Sequence, residues 1–227
     1  SLVRWIHPNK GSIRPDRFIP LSEELGFVID IDRIVFEQTC QQFRRWRSRS
    51  LTSPYQKFNV NLSCSQLERS DLVPFLLSTL DVADLSPHDV VLEITESYLL
   101  ADSGLVMKNL NEMNKLGFRI FVDDFGTGYS SLSYLAKYPI HGLKIDRSFV
   151  KDLDERPENK ELIRSIIAMA EALNLTVVTE GVETKEQLHL VVELGCRYIQ
   201  GFLFTRPMNA KQAEGFLVNQ PYRELLH

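Results

Sequence analysis

Two carboxylates stand side by side at Asp123 and Asp124, in the stretch FVDDFGTGYSSLSYL that runs from Phe121 to Leu135. Phe121 and Val122 read as the end of a buried strand, which leaves both acids at its C-terminal tip. Adjacent carboxylates in such a place repel each other and call for a compensating cation. Oxygen-only ligands suit hard divalent ions such as Mg²⁺ or Mn²⁺. Gly126 and Gly128 let the following loop take positive φ and approach a ligand closely. An ordinary strand–turn–helix with a solvated acid pair would share this pattern, so the decision rests on where the other polar residues fall.

Six polar residues, Asn61, Glu93, Asp123, Lys144, Glu180 and Gln200, each read at or near the C-terminal end of a different strand. In a β/α barrel those ends share one face, the face that carries the active site. Any one of them singly would pass as a structural polar group, but chance is a poor account of all six. Asn61, Glu93, Asp123 and Asp124 supply oxygens for one or two divalent cations. Paired ions about 3.5–4 Å apart are a recurrent solution for phosphodiester hydrolysis, activating water and neutralising the departing oxygen. Lys144, the lone cation among these acids, would orient the attacking water or balance charge in the transition state. A buried salt bridge to Asp146 or Asp123 explains it equally well and is compatible with that role. No Walker A pattern, no GxGxxG after a strand, and no Ser/His/Asp or Cys/His arrangement occurs. The five histidines lack metal-ligand spacing, which argues against a zinc enzyme.

The elements that must position these residues alternate between strand and helix along all 227 residues. Leu2–Ile6 reads as the end of a strand, Pro15–Pro20 as an extended connection and Ser22–Gly26 as a short helix. Val28–Trp46 is a long helix with Val28, Ile31, Val35, Phe43 and Trp46 near one stripe. Lys57–Leu62 alternates, with Phe58, Val60 and Leu62 on one face and Asn59 and Asn61 on the other. Further strands are expected over Val90–Ile94, Arg119–Asp123, His141–Asp146, Leu175–Glu180 and Arg197–Gln200. Helices are expected over Leu72–Leu80, Ser103–Leu116, Tyr129–Lys137, Pro157–Leu173, Thr184–Leu194 and Asn209–Leu217. Alternation at this length favours a β/α barrel or a doubly wound sheet. A full barrel takes eight strands and about 250 residues, so the expectation is an α/β chain roughly one N-terminal strand short.

Composition is that of a globular domain, with 44% hydrophobic and 25% charged residues. A net charge of −4 gives no case for wrapping a nucleic acid polymer. Three cysteines without CxxC spacing fit a reducing, cytoplasmic setting, and no apolar run approaches the roughly 18 residues a bilayer requires.

Taken together, LVRW, PDRFIP, NVNLS, VLEITES, DDFGTGYSSLSYL, LKIDRSFV, VVTEGVET and CRYIQGFLF resemble the EAL domain, a family of bacterial cyclic di-GMP phosphodiesterases. The resemblance covers essentially residues 1–227 as one domain. It implies a TIM-type (β/α)8 barrel whose first strand runs antiparallel to the rest, and hydrolysis of cyclic di-GMP to linear pGpG in second-messenger signalling and biofilm control. It also implies two Mg²⁺ or Mn²⁺ ions held by Asn61, Glu93, Asp123 and Asp124, with Glu180 at the metal centre directly or through water. Lys144 would match the lysine that positions the nucleophilic water. Glu96 would brace the DDFGTGYSS loop, which carries Asp124 and supports a homodimer. Arg4 would contact a substrate phosphate, and Glu183 and Gln200 would help complete the substrate site. The family's signature Glu precedes the arginine matching Arg4 by four positions and would stand just before Ser1. Ser1 and Leu2 would then be the second and third residues of a variant signature, and the first strand would lie upstream of them. The resemblance is compatible with an upstream GGDEF or sensor domain, and such a protein could be anchored to a membrane through upstream segments. The alternative is a non-catalytic cyclic di-GMP receptor of the same fold. The acids present and the intact DDFGTGYSS loop favour the enzyme.

Overall fold

The computed structural model describes residues 1–99, 104–128 and 132–220. The chain forms two compact units, Ser1–Ile94 with Asp102–Arg119, and Thr95–Ala101 with Ile120–His227.

In the first unit β1 (Trp5–His7) and β2 (Gly11–Ile13) form a small antiparallel hairpin. Gly11, at φ +69, supplies the left-handed residue after its turn. Helix α1 (Pro15–Glu24) occupies the stretch expected to be extended. Pro15 sits in the first turn, where its missing N–H has no helical partner to lose. Its fixed φ starts the helix, and Pro20 is carried inside it. Helix α2 (Val28–Ser48) buries Val28, Phe36, Cys40 and Phe43. Ile31, Val35 and Trp46 are only partly covered, so the buried stripe is rotated from the one expected.

Strand β3 (Phe58–Asn61) pairs in parallel with β4 (Val90–Thr95), with Asn61 opposite Glu93. Between them lie α3 (Cys64–Leu67) and α4 (Leu72–Val82). Phe58, Val60 and Leu62 are buried as the alternation requires. The Phe43 and Phe58 rings lie 4.9 Å apart and tie α2 to β3. Arg47, over the Phe43 ring, binds both oxygens of Asp89 at 2.6 and 2.9 Å, anchoring the turn into β4. After α5 (Glu96–Leu99), α6 (Gly104–Leu116) belongs to this unit, and Asn109 on α6 donates to the carbonyls of Leu67 and Arg69.

The second unit holds β5 (Arg119–Phe125), α7 (Leu132–Lys137), β6 (Gly142–Ile145), α8 (Arg147–Lys151) and α9 (Pro157–Ala172), followed by β7 (Thr176–Thr179), α10 (Lys185–Glu193), β8 (Tyr198–Ile199) and α11 (Ala210–Asn219). Its four strands are parallel and ordered β5-β6-β7-β8. Both α10 and α11 open on capping boxes, at Thr184 with Gln187 and at Asn209 with Gln212. Ile145, Val150, Ile163, Val182 and Val191 form one core cluster beneath these strands and helices. Tyr129 and Ser103, expected to begin helices, lie outside the described residues.

Candidate metal centre

At the end of β5 the backbone leaves the regular strand geometry. Pairing with β6 shifts register between Val122 and Phe125, and Asp124 takes φ +53. In an unbroken strand, consecutive side chains point to opposite faces. Here a carboxylate oxygen from Asp123, one from Asp124 and one from Glu180 all lie within 4.8 Å of one another. The loop beyond is held by several contacts. The Asp124 amide donates to Asp123 Oδ1 at 3.1 Å, and the Gly126 amide donates to Glu96 Oε2 at 2.9 Å. Glu96 is itself buried at the start of α5. Gly126, at φ +95, leaves no room for a Cβ, which would stand 2.8 Å from the Phe149 ring.

Lys144 enters from β6, 4% exposed. Its Nζ stands 2.9 Å from Asp123 Oδ1 and 2.7 Å from Glu180 Oε1. The salt bridge to Asp123 is therefore present, with Glu180 as a second partner. Glu180 follows β7 directly, and its amide continues the ladder by donating to the Ile145 carbonyl. Among the described residues the cluster gathers three carboxylates and one ammonium, an excess of negative charge. Asp124 registers that imbalance. Its carboxyl is pushed above the ordinary range, first by desolvation and then by the neighbouring Asp123 and Asp146 carboxylates, against the pull of Lys144 and Arg147. All-oxygen donors with an excess of negative charge fit a divalent hard cation.

Gln200, past β8, donates its amide to the Thr179 carbonyl and accepts from the Val182 amide, which lies next to Glu183. The side chains of Gln200 and Glu183 are exposed. Gly201 is required at its position because a Cβ would come within 1.9 Å of the Val182 carbonyl oxygen.

In the first unit Asn61 ends β3 opposite Glu93, which is buried. Asn59 Nδ2 donates to Glu93 Oε1 at 2.7 Å. The Leu62 amide donates to the Glu93 carbonyl, and the Ser63 amide donates to Asp32 Oδ2 at 3.0 Å. Arg4 is exposed and donates to the Val3 carbonyl. Asp146, expected as an alternative salt-bridge partner of Lys144, instead adds its charge to the surroundings of Asp124 together with Arg147. Asn59 and Arg147 are neighbours that site reasoning from sequence passed over. Asn59 was within reach of it, since strand alternation puts Asn59 on the face of Asn61.

A chain of alternating strands and helices, with acids at strand ends around a buried lysine, defines an α/β protein with a candidate divalent-metal centre. It belongs to the EAL-domain family, whose model matches residues 1–207. The chain is 40% identical over 222 residues to the signaling protein YkoW of Bacillus subtilis, covering 97% of this chain and 27% of YkoW. It is 39% identical over 214 residues to the bifunctional diguanylate cyclase/cyclic di-GMP phosphodiesterase MucR of Pseudomonas aeruginosa, covering 93% of this chain and 31% of MucR. The chain thus spans under a third of the length of these curated relatives. Among solved structures, the PaMucR phosphodiesterase in complex with c-di-GMP matches with a TM-score of 0.88 at 39% identity. That match covers 93% of this chain and 85% of the other. No helix among the described residues is long and apolar enough to cross a membrane.

Proposed function

We propose that residues 1–227 form an EAL phosphodiesterase domain that hydrolyses cyclic di-GMP to linear pGpG with two Mg²⁺ or Mn²⁺ ions. The observation that carries this reading is the carboxylate cluster of Asp123, Asp124 and Glu180 around the Lys144 ammonium. The ligand set is Asn61, Glu93, Asp123 and Asp124, with Glu180 binding directly or through water. Divalent ions bound there would supply Lewis-acid polarisation of the phosphate and a water of lowered pKa. Lys144, held by Asp123 and Glu180, orients the attacking water and offsets charge as it adds to phosphorus and the sugar 3′ oxygen departs. Arg4 binds a phosphate oxygen, while Glu183 and Gln200 complete the substrate site. Glu96 fixes the loop behind Asp124 through the Gly126 amide.

The strand–helix alternation and the likeness to PaMucR support a TIM-type (β/α)8 barrel for the intact domain. The names of the relatives support cyclic di-GMP as substrate. The same family reading proposes a homodimer built on the 125–131 loop and its following helix, a cytoplasmic placement, and an upstream GGDEF or sensor domain in the whole protein. Incubation with cyclic di-GMP and Mn²⁺, with products separated by chromatography, tests the central step. The expected product is pGpG, with none formed in excess chelator. Tight binding of cyclic di-GMP without turnover at saturating Mg²⁺ and Mn²⁺ would instead make the domain a receptor.

A further inference from the structure

We propose that Thr127 is a positioning residue for this metal centre: its hydroxyl holds the left-handed backbone at Asp124 that brings the second carboxylate beside the first. The proposal rests on the metal reading above.

A regular β5 would send Asp123 and Asp124 to opposite faces, so both can serve one centre only if the backbone departs from strand geometry between them. The departure is visible as the register shift before Phe125 and as φ +53 at Asp124. L-residues resist this conformation, Asp and Asn least, and it persists only where the surroundings hold it. Thr127 Oγ1 donates to the Asp124 carbonyl at 2.9 Å, and the Thr127 amide reaches the same oxygen at 3.4 Å. The Asp124 amide is bound to Asp123 Oδ1, so both peptide groups of Asp124 are fixed. Glu96 acts on a different group, the Gly126 amide. Without the hydroxyl, the Asp124 carbonyl keeps from Thr127 only the longer amide contact, and the residue is freer to return to an extended conformation.

Thr127→Val removes the hydroxyl at nearly constant volume, and Thr127→Ser restores it. Mn²⁺ titrated calorimetrically into metal-free protein, with the Asp124 backbone conformation read from NMR shifts before metal is added, tests the proposal. Wild type and Thr127→Ser should bind alike. Thr127→Val should bind about tenfold more weakly, at the low end of the roughly 10–100-fold typical of lost outer-shell contacts, and should lose the left-handed signature at Asp124. Unchanged Mn²⁺ affinity in Thr127→Val, or weaker binding with Asp124 still left-handed, overturns the proposal while leaving the metal reading in place. Wild-type protein that takes up no Mn²⁺ overturns both.

Discussion

Within β4, Glu93 stands where an unbroken parallel register puts it, opposite Asn61 and bound by Asn59. At the end of β5, Asp123 and Asp124 come together with Glu180 only because the strand breaks register and one residue turns left-handed. The first arrangement gives a buried carboxylate a neutral amide donor. The second groups three carboxylates, two of them paired to one ammonium, and holds Asp124 above its usual titration range. Strand alternation suffices where each strand contributes one acid. Two consecutive acids at one centre need a backbone irregularity, and that irregularity has to be held in place from outside the strand.

The largest effect should come from removing a charge at the irregular end. Asp123→Asn takes one anion from the cluster and one partner from Lys144. Mn²⁺ affinity by calorimetry should fall by more than about 100-fold, beyond the range typical of outer-shell losses, and cyclic di-GMP hydrolysis should fall with it. Glu96→Gln comes next, since it weakens the acceptor for the Gly126 amide. Hydrolysis should drop by about 10–100-fold while the thermal midpoint moves little. Equal activity in Glu96→Gln and wild type would mean that the β5 loop needs no external brace, and would erase the contrast with β4.

How far each end was readable from sequence follows the same division. The alternation in Phe58–Leu62 announced both the buried face and the polar one, and counting apolar runs placed Lys144 and Glu180 at or next to strand ends. Glu93 and Asp123 instead lie inside strands that run on to Thr95 and Phe125, so Phe121 and Val122 do not end β5. The capping pair Thr184 and Gln187 marked the start of α10 in the same way. The bulge in β5 was not legible, because two adjacent acids read alike whether the chain continues extended or turns. Nor was α1, since Pro15 and Pro20 bracket a segment that resembles an extended connection until packing supplies the helix. The buried face of α2 was read a fraction of a turn off, with Phe36 and Cys40 turned inward and Ile31 and Val35 only partly covered. Periodicity sets the spacing of such a stripe more firmly than its centre.

Two smaller effects sharpen the β3–β4 side. Asn59→Ala removes the amide that donates to buried Glu93 and should cost about 1–2 kcal/mol in urea unfolding, with a smaller loss of hydrolysis than Glu96→Gln. Asp32, which accepts from the Ser63 amide just past Asn61, is raised by burial to about 6. Because its folded value lies above the unfolded value of 3.8, the native state holds the extra proton, and stability should fall as pH rises from about 4 to 6. Asp32→Asn keeps an acceptor for Ser63 and should flatten that fall, with a difference on the order of 1 kcal/mol between chemical denaturations at pH 4 and 7.

The claim that the bulged end of β5 builds a metal centre is tested most directly by a crystal grown with Mn²⁺, its anomalous signal locating the ion. The account predicts an anomalous peak bonded to carboxylate oxygens of Asp123 and Asp124, at the roughly 2–2.6 Å expected of a hard divalent cation. Saturating Mn²⁺ that leaves no peak at these two residues, or that binds only elsewhere in the chain, would contradict it.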